Sequence, residues 1–534
     1  MTADTDKKPS ELRRLAAGRL AAGDFAGVEK WCRQALRHQQ SDAEAWYLLG
    51  SAAFRAGKLD AAQSCLQEAV QYAPEQVDYL VLLARSYSVA WRHSEAAAVA
   101  RRAVALEPAD AASLNIIGEI LLHADQPAEA RPLFESAVAR APGVTEYHFN
   151  LASACRVLGD LAVARQQCEV ALDCDPGNAR AWSMLAELNS ASLAGKRFDL
   201  LSDAYAASAS KDPQQRLLIG FALSRAWEAQ GKFDKAFDVL HESKAPARRL
   251  LNYTFASDAA LFDTLTEIFS GQVRTDETGS SAPERPIFVM GMPRTGTTVL
   301  DRMLSAHPAV ISAGEVHNFG ILLQRAVGDA GLGVPTPERL RKALNVDLQE
   351  VAERYLESVA ERVGTSGRFV DKLPHNFLFA GYIAKAMPEA KMLCLRRNAM
   401  DTCVGNFRQL FALNFPYYRY SYDIDDIARY YIAFDQLMAH WQKVLPGRIL
   451  EISYEGLVRD PGTRLKEILN YCGLDWDPAC LAIEDNPGPV TSASAVQVRE
   501  AINTRAIGRW RKYEAKLGSV IEMLGDAGVD IETD

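Results

Sequence analysis

The sequence predicts a two-part chain: an all-α solenoid in the first half, then an α/β domain whose parallel sheet is flanked by helices. Three observations carry this. Pro74, Pro108, Pro142 and Pro176 recur every 34 residues, and Ala62, Ala96, Ala130 and Ala164 keep the same interval. Residues 271–285, GQVRTDETGSSAPER, hold no apolar period and read as a linker. After them the apolar run IFVMGM (287–292) passes through PRTGTT into VLDRMLSAH, a strand, a turn and a helix in succession. The 534 residues suffice for roughly three to four domain equivalents. With 48% hydrophobic and 24% charged residues, a mainly disordered chain is excluded. The 59 basic and 68 acidic residues leave a net charge of −9, which argues against a general nucleic-acid coat.

Within one period the residues explain the repeat. Ala43 to Pro74 reads as a helix, a break at Gly57-Lys58, and a second helix that the proline ends because it lacks an N–H. Two further registers, Ala69-Ala103-Ala137-Ala171 and Gly50-Ala84-Gly118-Ala152, keep small residues where paired helices approach. This pattern resembles the tetratricopeptide repeat (TPR) family, with four full repeats across 43–178. A degenerate repeat precedes them (GRLAAGDFAGVEKWCRQAL), another follows at 216–241, and 179–215 reads as an irregular repeat with an insertion. The expected division is a solenoid over 9–245, a helical connector and linker over 246–285, and the α/β domain over 286–534. The resemblance implies a concave face that holds a protein or peptide; a scaffold or homodimerisation surface is the alternative. Trp46, Tyr47, Tyr79, Tyr147 and Phe149 are candidates for lining that groove or for packing between repeats.

The second half begins with a phosphate-cradling arrangement, since backbone N–H groups of a Gly/Thr-rich turn and a helix N-terminus point at an anion. Gly291 to Thr298 has the G-x-x-x-x-G-T-T spacing of a nucleotide-triphosphate loop, but Thr297 stands where that loop needs lysine. An NTPase or kinase is thereby disfavoured. PRTGTT instead resembles the 5′-phosphosulfate loop of sulfotransferases, which use 3′-phosphoadenosine 5′-phosphosulfate (PAPS). The resemblance implies donor contacts from Pro293, Arg294, Thr295, Gly296, Thr297 and Thr298.

Further segments follow in the family's order. AKMLCLRRNAMDTCVGNF (390–407) resembles the strand-to-helix element that holds the 3′-phosphate and places Arg397 there, although Asn398 and Gly405 replace the family's aspartate and serine. Asn406 or Thr402 are candidate substitutes for the lost hydroxyl. FVDKLPHNF (369–377) resembles the element that puts Lys372 beside the sulfuryl group. ILEISYEGLVRDPGTRLKEILNYCGLDWD (449–477) implies Tyr454 near the nucleotide, and VTSASAVQVREAINTRAIGRWRKYE (490–514) implies a nucleotide-covering loop with Ser494 and Arg499 as phosphate ligands. The branch most similar is the protein-tyrosine one, whose catalytic glutamate corresponds to Glu315 in SAGEVHNF (312–319).

Sulfuryl transfer needs a base for the acceptor and cations for the leaving oxygen. Glu315 is the expected base with His317 as rival, and Arg294 and Lys372 are the expected cations; no metal is demanded. His307, beside Pro308, reads as a helix end, and His375 is set aside as a substrate contact. Nine cysteines with no C-x-x-C pair read as reduced thiols. No secretory leader and no 18-residue apolar run is seen, so a cytoplasmic protein without a membrane span is expected. The expected activity is transfer from PAPS to an acceptor hydroxyl on a protein or peptide, with tyrosine as the candidate and the repeats recruiting it. Two alternatives stay open: a small-molecule or carbohydrate acceptor with repeats used for assembly, and a non-enzymatic interaction protein with a decayed nucleotide site.

Overall fold

Helix pairs follow the 34-residue period through the first part of the chain. A computed structural model describes residues 7–209, 212–272, 285–328, 333–486 and 500–532. Five pairs run Pro9–Ala21 with Phe25–His38, Ala43–Arg55 with Leu59–Tyr72, Val77–Val89 with His93–Val104, Ala111–His123 with Pro127–Arg140, and Thr145–Leu158 with Leu161–Cys174. Aspartates at 24, 42, 110 and 160 cap helix N-termini by accepting a backbone N–H three residues on, each cap worth about 1 kcal/mol. The small residues of the Gly50 register sit where the paired helices touch. A Cβ on Gly50 would stand 2.6 Å from Leu66, and one on Gly118 would stand 2.6 Å from the Phe134 ring. The two other repeats of the register hold alanine, Ala84 and Ala152, and small partners sixteen residues on, Ala100 and Cys168; all four are buried. Of the aromatics considered for a groove, Tyr47 stacks on Tyr79 at 4.5 Å and Phe149 lies under the Arg180 guanidinium at 4.0 Å. These pairs bridge neighbouring repeats.

Two compact units emerge, Met1–Ala181 and Trp182–Asp534. The helices Pro213–Ala229 and Phe233–Leu251, read from sequence as a late repeat and the start of a connector, are built into the second unit. The second of them runs through Pro246 without a break. The buried Lys244 donates to the carbonyls of Phe407 (2.6 Å), Ser421 (2.7 Å) and Gln409 (3.3 Å). The helix Ala256–Ile268 packs on the same body, with Phe262 edge-on to Tyr430 at 5.2 Å. Most of the stretch read as a linker, 273–284, lies outside the described residues.

The sheet has five parallel strands: β1 (Pro286–Gly291), β2 (Val310–Gly314), β3 (Arg368–Lys372), β4 (Lys391–Arg396) and β5 (Ile449–Ser453), in the order β2-β3-β1-β4-β5. Every residue of β1 is buried, as its unbroken apolar run requires with helices on both faces. The chain leaves β1 toward β2 on one side and leaves β4 toward β5 on the other. The ends of β1 and β4 therefore flank the point where an open parallel sheet leaves a crevice. Among the described residues no helix is long and apolar enough to cross a membrane, and all nine cysteines are unpaired.

Candidate active site

The turn after β1 is shaped by two positive-φ residues. Gly296 (φ +101°) lets the Tyr454 ring lie where a Cβ would come within 2.4 Å of it. Arg294 takes φ +68°, a strained choice for a non-glycine residue that is met at functional sites. Thr295 closes the turn from its hydroxyl to the Met292 carbonyl at 2.7 Å, and the Pro293 carbonyl accepts from the Asn406 side chain at 2.7 Å. Gly296 is the N-cap of the helix Thr297–Ser305 and offers no side-chain acceptor, which suits a helix N-terminus that receives an anion.

The end of β4 faces this turn. The Arg397 guanidinium donates to the Arg294 carbonyl at 3.0 Å and to the Ala506 carbonyl, and lies over the Tyr454 ring at 4.8 Å. Asn398, where the resemblance expects aspartate, caps the helix Ala399–Phe407 by accepting from the Asp401 N–H at 3.1 Å. The Asp401 carboxylate in turn accepts from the backbone N–H groups of Gly508 (2.7 Å) and Trp510 (2.9 Å), pinning the 500–510 segment over the crevice. Glu455, beside Tyr454, is buried and accepts from the Asn398 N–H at 2.9 Å.

A cavity of 330 Å³ lies between these elements, with Arg294, Gly296, Thr298, Arg397 and Tyr454 in its wall together with residues of 500–509. Pro293, Thr295 and Thr297 frame the turn behind it. Six guanidinium groups (Arg225, Arg294, Arg397, Arg408, Arg505 and Arg509) and two carboxylates (Asp401 and Glu500) line the space, a formal excess of four positive charges. Burial first, and then the charges of Arg225, Arg408 and Arg397, pull the Arg294 guanidinium down to about 9. Burial and Arg408 pull Arg509 down to about 10. Cations that disfavour one another's charge are relieved by an anion among them. Among the described residues, the buried Nε atoms of Arg397 and Arg509 have no acceptor. A polyphosphate-type anion fits that set.

The structure brings the other expected residues together a strand away. Lys372, 3% exposed, makes an ion pair with Glu315, which is 32% exposed. Asp371 beside it accepts from the Tyr355 hydroxyl (2.7 Å) and the Asn376 amide (3.0 Å), and burial outweighs both bonds to push its carboxyl up to about 7. His317 is held below its ordinary value by burial, and its ring lies 5.1 Å from Phe415. His375 is buried between Tyr417 (4.9 Å) and Tyr418 (4.8 Å), and Tyr418 stacks on Phe411 at 4.2 Å. Burial, with His317 nearby, pulls the His375 ring down to about 3. His317, two residues after Glu315, and His375, three after Lys372, thus meet a cluster of aromatic rings. His307 ends its helix as expected, its ring bonded to the Asp475 carbonyl and the Ala309 N–H at 3.1 Å each.

One expectation changes. Asn406 and Thr402 do not stand in for the missing serine at Gly405. Asn406 spends its amide on the Pro293 and Thr402 carbonyls, and the Thr402 hydroxyl bonds the Asn398 carbonyl at 2.9 Å. Neither reaches the cavity wall, whereas Gly405 does, and a Cβ there would stand 3.2 Å from that of Arg294. Ser494 and Arg499 lie outside the described residues. Asn503, Arg505 and Arg509, just beyond them, reach the wall, as do Arg225 and Arg408. For Arg505 and Arg509 the basic run TRAIGRWRK was the available signal; for Arg225 there was none.

The fold and site define a chain of two kinds of domain, tetratricopeptide repeats and a sulfotransferase domain. The sulfotransferase family model matches residues 286–478, and tetratricopeptide repeat models match 19–86, 81–144 and 117–179. Among individual proteins, an uncharacterized protein of Aquifex aeolicus (strain VF5) is 34% identical over 324 residues, covering 60% of this chain and 43% of that protein. Protein-tyrosine sulfotransferase 2 of Gallus gallus is 24% identical over 239 residues, 42% of this chain and 62% of its own length. The protein-tyrosine sulfotransferase of Drosophila melanogaster is 24% identical over 292 residues, 49% of this chain and 56% of its own. The chain thus spans less than two thirds of each of these three relatives. A solved structure of Pseudomonas aeruginosa PilF aligns with 40% of this chain at 18% identity and a TM-score of 0.35.

Proposed function

We propose that the second unit transfers a sulfuryl group from PAPS to an acceptor hydroxyl, and that the acceptor is a protein or peptide carrying tyrosine. The observation that carries the reading is the cavity at the ends of β1 and β4, with its four-charge excess and the PRTGTT turn at its edge. PAPS supplies the sulfuryl group and leaves as 3′-phosphoadenosine 5′-phosphate (PAP). Arg294, Thr298 and the N-terminus of Thr297–Ser305 would hold its 5′ end, Arg397 its 3′-phosphate, and Tyr454 would flank it. Glu315 takes the proton of the acceptor hydroxyl. Lys372, now paired with Glu315, stabilises negative charge between acceptor and donor. The aromatic cluster around His317 and His375 offers an apolar surface on which a phenolic acceptor can stack. Among the described residues no three His, Cys, Asp or Glu side chains gather as a metal site would need, and the roles above are assigned without one.

Recruitment of the acceptor falls to the repeats, whose concave faces elsewhere hold peptides. A reducing, cytoplasmic setting is supported by nine unpaired cysteines, most of them buried. The test is titration of the full chain with PAP and 5′-AMP, followed by incubation with radiolabelled PAPS and cell extract. PAP should bind at least about tenfold more tightly, as one charged hydrogen bond requires, and label should appear on tyrosine. Failure of PAP to bind overturns the donor; label confined to glycan or small molecules overturns the acceptor.

A further inference from the structure

The sulfotransferase reading uses residues from the sheet and the segments that follow it, yet the cavity wall also holds Arg225. This residue belongs to the helix Pro213–Ala229, more than fifty residues before β1. Its guanidinium donates to Glu228 at 3.0 Å and to the Arg408 carbonyl at 3.3 Å, at the C-terminal end of the helix Ala399–Phe407. It therefore stands one turn from Gly405, where the wall has backbone but no side chain.

Among the described residues, three guanidinium groups gather on one carboxylate here. Glu228, 7% exposed, accepts from Arg408 through both its oxygens and from the Tyr513 hydroxyl at 2.5 Å, with Arg509 at 3.4 Å. One carboxylate is thus shared among Arg225, Arg408 and Arg509. The paired Arg408 already satisfies Glu228, so neutralising that carboxylate does not explain Arg225. Burying surplus cations is costly unless an anion joins them. The helix that carries Arg225 is also fixed in place, because its hairpin partner Phe233–Leu251 is anchored by Lys244 to three carbonyls beside the same site.

We propose that Arg225 is a ligand of the donor nucleotide, supplied by a helix outside the sulfotransferase segment, and that Glu228 is the positioning residue that aims it. The assignment rests on PAPS being the donor. It makes the helices after residue 181 part of the nucleotide site, whatever the preceding repeats bind.

The experiment is calorimetric titration of the full chain with PAP, for wild type, Arg225→Ala, Arg225→Lys and, as a control on the same helix, Arg216→Ala. Arg225→Ala should weaken PAP by roughly 10- to 150-fold, the loss of a charged hydrogen bond. Arg225→Lys should recover part of it, and Arg216→Ala should match wild type. Melting with and without PAP separates folding from binding: the ligand-dependent rise should shrink in Arg225→Ala while the ligand-free midpoint stays within a few degrees. Should the alanine variant not fold, Arg225→Lys decides, and wild-type affinity in a folded lysine variant counts against a specific ligand role. Wild-type affinity in a folded Arg225→Ala overturns the assignment and leaves the donor intact; no PAP binding by the wild type overturns both.

Discussion

The repeat unit and the sheet unit are held by contacts of opposite range, and this governs what each can do. In the repeats a residue meets partners about sixteen or thirty-four positions away, as Gly50 meets Leu66 and Asn150 meets Asn115 at 2.9 Å. In the sheet unit one cavity wall gathers side chains from 225 to 509. A local array adds stability repeat by repeat; a wall assembled from distant segments exists only when the whole unit is folded. Chemistry that needs several cations at one point therefore resides in the second unit, and the first is free to vary as a surface.

That contrast can be broken most sharply at Glu315. Glu315→Gln keeps the shape and removes the base, so turnover should fall by roughly 10² to 10⁴ while PAP affinity stays within a few-fold. Initial rates and calorimetry decide it, with His317→Ala alongside: survival of Glu315→Gln and collapse of His317→Ala would move the base to the histidine. Next in size is Arg397→Ala. It should weaken PAP by roughly 10- to 150-fold and 5′-AMP far less, and equal losses would remove Arg397 from the 3′-phosphate.

A smaller effect is expected in the repeats. Gly118→Ala gains about 1 kcal/mol of helix propensity but drives a methyl into Phe134, an overpacking worth about 1–3 kcal/mol. The net is a loss of about 1 kcal/mol in urea unfolding, relieved by Phe134→Leu, with PAP affinity unchanged. A change in PAP affinity would show that the two units are not energetically independent.

The smallest concerns pH. Asp258, in the sheet unit, is pushed up to about 6 by burial, against the Tyr253 hydrogen bond. Its folded value lies above its unfolded one, so its contribution is present below about pH 4 and is lost as pH rises through 6. In the repeats the Asp110 cap goes the other way: burial would raise it, but the bonds from Ser113 and its neighbours lower it, so its contribution is lost only as pH falls below about 4. Scanning calorimetry between pH 4 and 6 should show the sheet unit weakening with the repeats unchanged; Asp258→Asn should make the slope shallower by about 1 kcal/mol or less, the buried Asp371 carboxyl, raised to about 7, supplying the rest.

The same difference in range explains what could be read from the sequence. The helix pairs were legible because proline, alanine and glycine recur at a fixed interval and each contact lies within two repeats. The phosphate turn was legible because a strand, PRTGTT and a helix are contiguous. Arg225 was not, since LSRAWEAQ reads as one more charged helix face until Arg408 is brought to it across 183 positions. Asn406 and Thr402 look like donors in sequence, but only the folded helix shows their bonds turned toward the Pro293 and Asn398 carbonyls. The division near residue 181 was equally hidden, because the late helix pair keeps the repeat pattern while serving another core.

The alternation of Gly50 and Gly118 with Ala84 and Ala152 bears on how such a chain can be recombined. Each glycine faces a bulky partner within its own repeat, Leu66 or Phe134, and each alanine is matched by a small one, Ala100 or Cys168. A crossover between whole repeats keeps every match. A crossover at the turn inside a repeat does not: the first helix of 77–104 joined to the second of 111–140 sets Ala84 against Phe134, and the reciprocal product leaves Gly118 facing Ala100 across a void. Duplication and exchange in this lineage should therefore respect the proline-marked boundaries, and inherited breakpoints should fall near 74, 108, 142 and 176 rather than at the glycine turns.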